Sequence, residues 1–169
     1  MRMAKSETAK WYAVYTKSRS EKRLAGRLAE KGIEAYVPLR RTLKQWSDRK
    51  KFVTEPLIPS YVFVNITPPE YYEVLNTGGA VKYIWFGGKP AVIPEKQILN
   101  LKLLIGSGEE IECISGNISP GTHVKVISGP LRGLEGELMN HLGKNKVLVR
   151  IDHINKALMV SLSPGMLRR

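Results

Sequence analysis

Apolar and polar positions alternate through residues 10–16 (KWYAVYT), where aromatic and β-branched side chains dominate, and the pattern predicts a strand. The period then changes. In SRSEKRLAGRLAEKGIEAYVP, Leu24 and Leu28 sit four apart, Ser20 is placed to cap, Glu21 puts an acid in the first turn and Gly32 is a natural stop. A helix over residues 21–31 and a strand around 33–37 are expected. RRTLKQWSDRKKFVTEP (residues 40–56) reads as a charged hairpin with Ser47 and Asp48 near its tip. IPSYVFVNI (58–66) is the strongest strand signal, and its alternation puts Tyr61 and Phe63 on one face and Val62, Val64 and Ile66 on the other. On the first strand Trp11, Ala13 and Tyr15 share a face. PPEYYEVLNTGG, from Pro68, reads as a short helix opened by proline and closed by Gly78 and Gly79. Residues 81–86 form a strand, Gly87 and Gly88 a turn, and Pro94 leads into a last helix, EKQILNLKLLI, ending before Gly106.

Strands alternating with helices in this way predict an α/β sandwich over residues 10–106. Residues 107–118 (SGEEIECISGNI) are acidic and small, and read as a linker. Beyond them, over 119–169, short runs (HVKVI, GELMN, KVLVRI, ALMVSL) are separated by Gly-rich or polar turns, as in a small β-barrel. Residues 1–9 are expected to be a disordered tail. The fold class is therefore α+β, a sandwich followed by a barrel. Gly129, Gly133 and Gly136 are expected to supply turns and bends in the barrel.

Composition narrows the function. With 43% hydrophobic and 25% charged residues the 169-residue chain is globular in character. There is no apolar run of membrane-spanning length, and the N-terminus lacks the core of a signal peptide. The single cysteine, Cys113, rules out an internal disulfide and fits a cytoplasmic protein. The net charge of +12 is uneven: residues 1–55 carry fifteen basic against six acidic side chains. Such concentration is the footprint of a nucleic-acid contact, with a solubilising surface as the plain alternative. Enzymatic chemistry finds no candidates. Asp48 and Asp152 are the only aspartates, and His123, His141 and His153 lack zinc spacing to Cys113. No phosphate loop or nucleophile elbow is present, so no catalytic residue, metal or cofactor is assigned. Only a nucleophile assembled from distant residues stays open.

Three stretches together resemble the NusG family of transcription factors: WYAVYTKSRSEKRLAGRLAEKGIEAYVP, EPLIPSYVFVNI, and SPGTHVKVISGPLRGLEGEL, the last similar to the KOW motif. VTEPLIPSYVFV, FGGKPAVIP and HINKALMVSL resemble the specialised paralogues, the RfaH and UpxY kinds, which act on particular operons, often those for surface polysaccharides. The resemblance implies a monomeric elongation or antitermination factor that suppresses pausing on RNA polymerase. It implies that Tyr15, Tyr61 and Phe63 dock the β′ clamp helices, while Tyr71 and Tyr72, with residues 76–79, meet the β gate loop. Without it, Tyr71 and Tyr72 would equally be helix packing. Arg19, Arg23 and Arg27, four apart, with Lys17 and Lys22 close by, would otherwise be a solvated helix face. The resemblance places Lys17, Arg23 and Arg27 on the non-template DNA strand. Arg40, Arg41, Lys44, Arg49, Lys50 and Lys51 then form an electrostatic funnel toward upstream DNA. Ile154 falls at the loop where the family meets a small-subunit ribosomal protein; general members carry an aromatic near there. The β alternation in KVLVRI argues against a helical form of the C-terminal domain. Two rivals stay open, a general housekeeping NusG and a KOW-containing ribosomal or other RNA-binding protein, although the latter has no need of an aromatic docking strand.

Overall fold

KWYAVYT does form a strand, β1 (Lys10–Thr16), in a computed structural model that describes residues 9–169. The tail expected over 1–9 therefore lies, but for Ala9, outside the described residues. Next come α1 (Glu21–Glu30), β2 (Glu34–Tyr36), β3 (Leu39–Gln45), β4 (Lys50–Pro56) and β5 (Tyr61–Ile66). A 3-10 turn (Pro68–Glu70) and α2 (Tyr71–Leu75) precede the short strands β6 (Ala80–Tyr83), β7 (Trp85–Phe86), β8 (Lys89–Pro90) and β9 (Val92–Ile93). The sheet runs in the order β2-β5-β1-β6, with β9 also on β1, and every pairing is antiparallel.

One face of this sheet holds a core in which Leu24 and Leu28 of α1 and Val74 of α2 meet Val14, Val62, Val64, Ile66 and Tyr83. The four-residue spacing of the leucines is what turns both toward the sheet, and burying each contributes about 2 kcal/mol. β3 and β4 form a separate two-stranded hairpin, closed where the Trp46 N–H donates to the Arg49 carbonyl at 2.8 Å.

Several elements are shorter than their sequence patterns. The strand expected from residue 58 begins at Tyr61, because Ser60 has φ 68°. Its N–H donates to the Glu21 carboxylate at 2.8 Å. Glu21 is accordingly buried, at 5% exposure, and is not a solvent-facing first-turn acid. Ser20 stands at the N-cap position but makes no side-chain capping bond. The strand expected over 81–86 breaks at Ile84, whose N–H goes to the Ala13 carbonyl while its own carbonyl accepts from Ala91. The helix opened by Pro68 stops at Leu75, where the Thr77 hydroxyl donates to the Glu73 carbonyl at 2.7 Å.

The chain divides into two compact units, one ending at Glu95 and the other running from Lys96 to Arg169. This division falls after the first residue of α3 (Glu95–Gly106), whereas the sequence pattern placed the boundary after that helix. Within the second unit, Lys96 Nζ pairs with Glu135 at 2.7 Å and the Asp152 N–H donates to Gln97 at 2.9 Å, tying the first turn of α3 to the strands. Those strands are β10 (Ile111–Ser115), β11 (Thr122–Val126), β12 (Glu135–His141), β13 (Lys144–Ile151), β14 (Lys156–Ser161) and β15 (Leu167–Arg168). They form one antiparallel sheet in the order β10-β14-β13-β12-β11-β15. Residues 111–115, expected in the linker, are an edge strand. Polar spacing hid it: Ile111 is buried, while Glu112 meets Lys146 at 3.0 Å and Ser115 meets Lys156. Gly129 and Gly133 have positive φ as expected. Gly136 does not; a Cβ there would lie 2.6 Å from the Leu148 carbonyl oxygen, so it is a close-approach glycine.

Candidate functional site

The sheet face away from α1 and α2 carries Trp11, Ala13 and Tyr15 from β1 and Tyr61 and Phe63 from β5. Strand register sets Tyr15 directly opposite Tyr61 and Ala13 opposite Phe63. The two tyrosine rings meet edge to face, 5.8 Å between centroids and 70° between planes, a contact of about 1 kcal/mol beyond simple burial. Tyr15 is exposed and Tyr61 half-buried. Burial, then the neighbouring Tyr15, raises the Tyr61 phenol above its usual range, so it is neutral at physiological pH. Phe63 differs from expectation: its ring is fully buried, between Ala13 on β1 and Tyr36 on β2 in register. Burial pushes the Tyr36 hydroxyl up to about 12.

Tyr71 and Tyr72 part company. Tyr71 stacks on Tyr83 at 4.3 Å and 13°, and its carbonyl accepts the Tyr83 hydroxyl. Tyr72, one residue on, is 71% exposed.

The basic residues around α1 also divide. Arg19 precedes the helix in a left-handed conformation, φ 59°, so only Arg23 and Arg27 continue the four-residue stripe on α1. Arg27 donates to the Gly78 carbonyl at 2.7 Å, and Lys22 to the Thr54 carbonyl on β4. Both therefore hold this unit's own backbone. Lys17, Arg19 and Arg23 are exposed and, among the described residues, make no ion pair. On the hairpin, Glu55 takes Lys44 at 2.9 Å and Arg40 at 3.5 Å. The Lys44 hydrogen bond leads in holding that carboxyl below its ordinary value. Arg41 lies over the Phe52 ring at 4.2 Å, and Lys50 and Lys51 are exposed.

Sequence reading missed the exposed rings. Trp46, Phe52, Trp85 and Phe86 are each 45–66% exposed. Their signal was present as bulky apolar residues in segments too short or too charged to bury them. In the second unit Ile154 is buried, at 4% exposure, in the turn between β13 and β14 where His153 and Asn155 have φ 70° and 54°. The side chains this turn offers outward are Asp152, His153 and Asn155. Among the described residues no three His, Cys, Asp or Glu side chains gather to hold a metal, and no helix is long and apolar enough to cross a membrane.

A sequence model of the family described as "Transcription termination factor nusG" matches residues 9–102, more than half of the chain. The chain is 25% identical over 140 residues to the transcription termination/antitermination protein NusG of Lactococcus lactis, covering 80% of this chain and 74% of that one. Its identity to the protein of the same name from Streptococcus pyogenes serotype M1 is 23% over 156 residues, covering 84% and 86%. Among solved structures, that titled "Domain interaction in Thermotoga maritima NusG" superposes with a TM-score of 0.55 at 21% identity, covering 96% of this chain and 98% of that one; at that identity the likeness speaks to the fold. Two domains of the expected kind, in the expected order, and a family match across the unit that carries the aromatic sheet face lead to one assignment: the chain belongs to the NusG family of transcription factors.

Proposed function

We propose that this protein binds RNA polymerase through its N-terminal unit and suppresses pausing or termination during elongation. The observation that carries the reading is the outward Tyr15–Tyr61 ring pair on the sheet face opposite α1 and α2. Rigid aromatic rings give a partner large contact area for little lost rotamer freedom, and the β′ clamp helices are the partner the resemblance names. Phe63, being buried, acts as the floor that fixes this pair. Tyr72, exposed at the start of α2, is the gate-loop contact, with Tyr71 packed behind it. Holding clamp and gate loop at once applies binding free energy to the closed polymerase, with no covalent chemistry. Lys17, Arg19 and Arg23 are the cations free to meet the non-template strand. The hairpin cations Arg41, Lys50 and Lys51 face nucleic acid nearby. Lys22 and Arg27 act indirectly, by holding the helix and loop that present the others. A ribosomal contact at the turn holding Ile154 would use the outward Asp152, His153 and Asn155.

Tyr15→Ser with Tyr61→Ser tests the docking face. Retention of the variant on immobilised polymerase should fall at least tenfold while its far-ultraviolet circular dichroism stays that of the parent. Undiminished retention would reject the docking face. Phe63→Ala is the wrong probe, because emptying that buried site costs about 3–5 kcal/mol of stability. The specialised reading rests on the phrases VTEPLIPSYVFV, FGGKPAVIP and HINKALMVSL. The general NusG names of the relatives favour a second reading, genome-wide elongation and termination. In vitro transcription on templates with and without an operon leader separates them: pausing relieved only on the leader template selects the specialised factor.

A further inference from the structure

The hairpin β3–β4 has two unlike faces. Antiparallel register pairs Arg41 with Thr54, Leu43 with Phe52 and Gln45 with Lys50, and these pairs share one side. Arg40 with Glu55, and Lys44 with Lys51, occupy the other. The carboxylate of Glu55 is spent on that second side, where it takes Lys44 and Arg40. The first side holds no carboxylate. There Leu43 and Phe52 stand 51% and 54% exposed, and Arg41 lies over the Phe52 ring at 4.2 Å. At the turn, Trp46 is 45% exposed with the Arg49 guanidinium 5.9 Å from its ring centroid. Over residues 39–56 six cationic side chains face two carboxylates.

Exposed rings that each carry a cation, on an arm with a strong positive excess, are the parts from which single-strand binding is built: a π-face for a base and a charge for the adjoining phosphate. We propose that the hairpin binds single-stranded nucleic acid by stacking unpaired bases on Phe52 and Trp46, with Arg41, Arg49 and Lys50 on the phosphates. This rests on the nucleic-acid role proposed above for the hairpin cations and adds what those cations alone lack, a preference for unpaired nucleotides. A duplex keeps its base faces stacked and offers such an arm phosphates and groove edges, so the rings find no open π-face there. A protein partner would be met by an apolar strip of two residues ringed by uncompensated positive charge, a poor core for an interface.

The test uses the full chain and fluorescently labelled oligo(dT), oligo(U) and a duplex, each of about 12 units, a length within the usual site size of single-strand binders. Anisotropy titrations are run at about 50 mM and about 200 mM salt. Phe52→Leu and Trp46→Leu, which keep apolar bulk and remove the ring, should each weaken binding to the single strands about tenfold and leave the duplex unchanged. Phe52→Tyr should restore the affinity. Lys50→Gln should weaken all three probes alike and lower the salt slope by about one. Tighter binding of oligo(dT) than oligo(U), or the reverse, supports the proposal and assigns the sugar. Failure of the parent to bind either single strand, unchanged affinity in the ring variants, or equal losses on duplex and single strand would overturn it. Polymerase retention measured on the same ring variants keeps the two readings apart: it should be intact, and a loss confined to Tyr15→Ser with Tyr61→Ser concerns the docking face only.

Discussion

The Arg27 guanidinium donates to the Gly78 carbonyl at 2.7 Å, fastening the last turn of α1 to the loop that follows α2. A Cβ built at Gly78 would sit 2.6 Å from Arg27 Nη1, the mobile end of that side chain, which would have to shift. The bond is solvent-exposed, which limits its worth to about 1 kcal/mol. Arg27→Ala should lower stability by that amount in chemical denaturation and raise amide exchange in residues 76–80. Arg23→Ala, one turn earlier and making no such bond, should leave both unchanged. Equal exchange in the two variants would show that Arg27 holds nothing.

Glu21 and Ser60 make a second long-range tie. The Ser60 N–H reaches the buried Glu21 carboxylate at 2.8 Å from a backbone with φ 68°. Glu21→Ala leaves that N–H without its partner and should cost about 2 kcal/mol. Ser60→Gly removes the left-handed strain at the price of a looser unfolded chain, so the change should lie within about 0.5 kcal/mol of neutral. Thermal melts of both variants check the pair. A stable Glu21→Ala would mean that the Thr16 N–H bond to the Ser60 carbonyl at 2.9 Å suffices to hold the turn.

Acid should loosen the second unit through Glu137. Burial alone would raise its carboxyl, but hydrogen bonds from Arg150 at 2.5 Å and from the Gly121 N–H at 3.0 Å bring the net shift below the ordinary value of 4.5. A carboxyl with a lower pKa when folded contributes stability that is complete above its unfolded pKa. That contribution fades as pH falls from about 4.5 through the folded value. Arg150 also donates to the Ile118 carbonyl at 2.9 Å and that of Ser119 at 3.1 Å, so protonation slackens the approach to β11 as well. Melting temperature followed from pH 7 to pH 3 should drop more steeply for the parent than for Glu137→Gln, which starts lower. Parallel curves would show that another group governs acid sensitivity.

Much of the fold was legible from local pattern. β1 falls on the residues its alternation marked, α1 ends one residue short of its forecast, and the hairpin turns at Ser47 and Asp48. The division of β5 into a core side and a ring side also followed from alternation, since Val62, Val64 and Ile66 join the helix-covered core while Tyr61 does not. Family membership was legible too, because motif order and spacing are themselves properties of the chain.

What the tertiary structure alone decided is how each side chain is used. Periodicity states which way a residue points relative to its neighbours, and it is silent on what stands across the gap. Phe63 is fully buried while Tyr15, on the same sheet face, is exposed. Arg27 and Lys22 were claimed by backbone carbonyls remote in sequence, whereas Arg23, on the same helix, was left outward. Ile111–Ser115 became a strand because β14 offered it an edge. A local pattern encodes direction; burial, partner and free charge are set by contacts between segments far apart along the chain, and only folding brings those together.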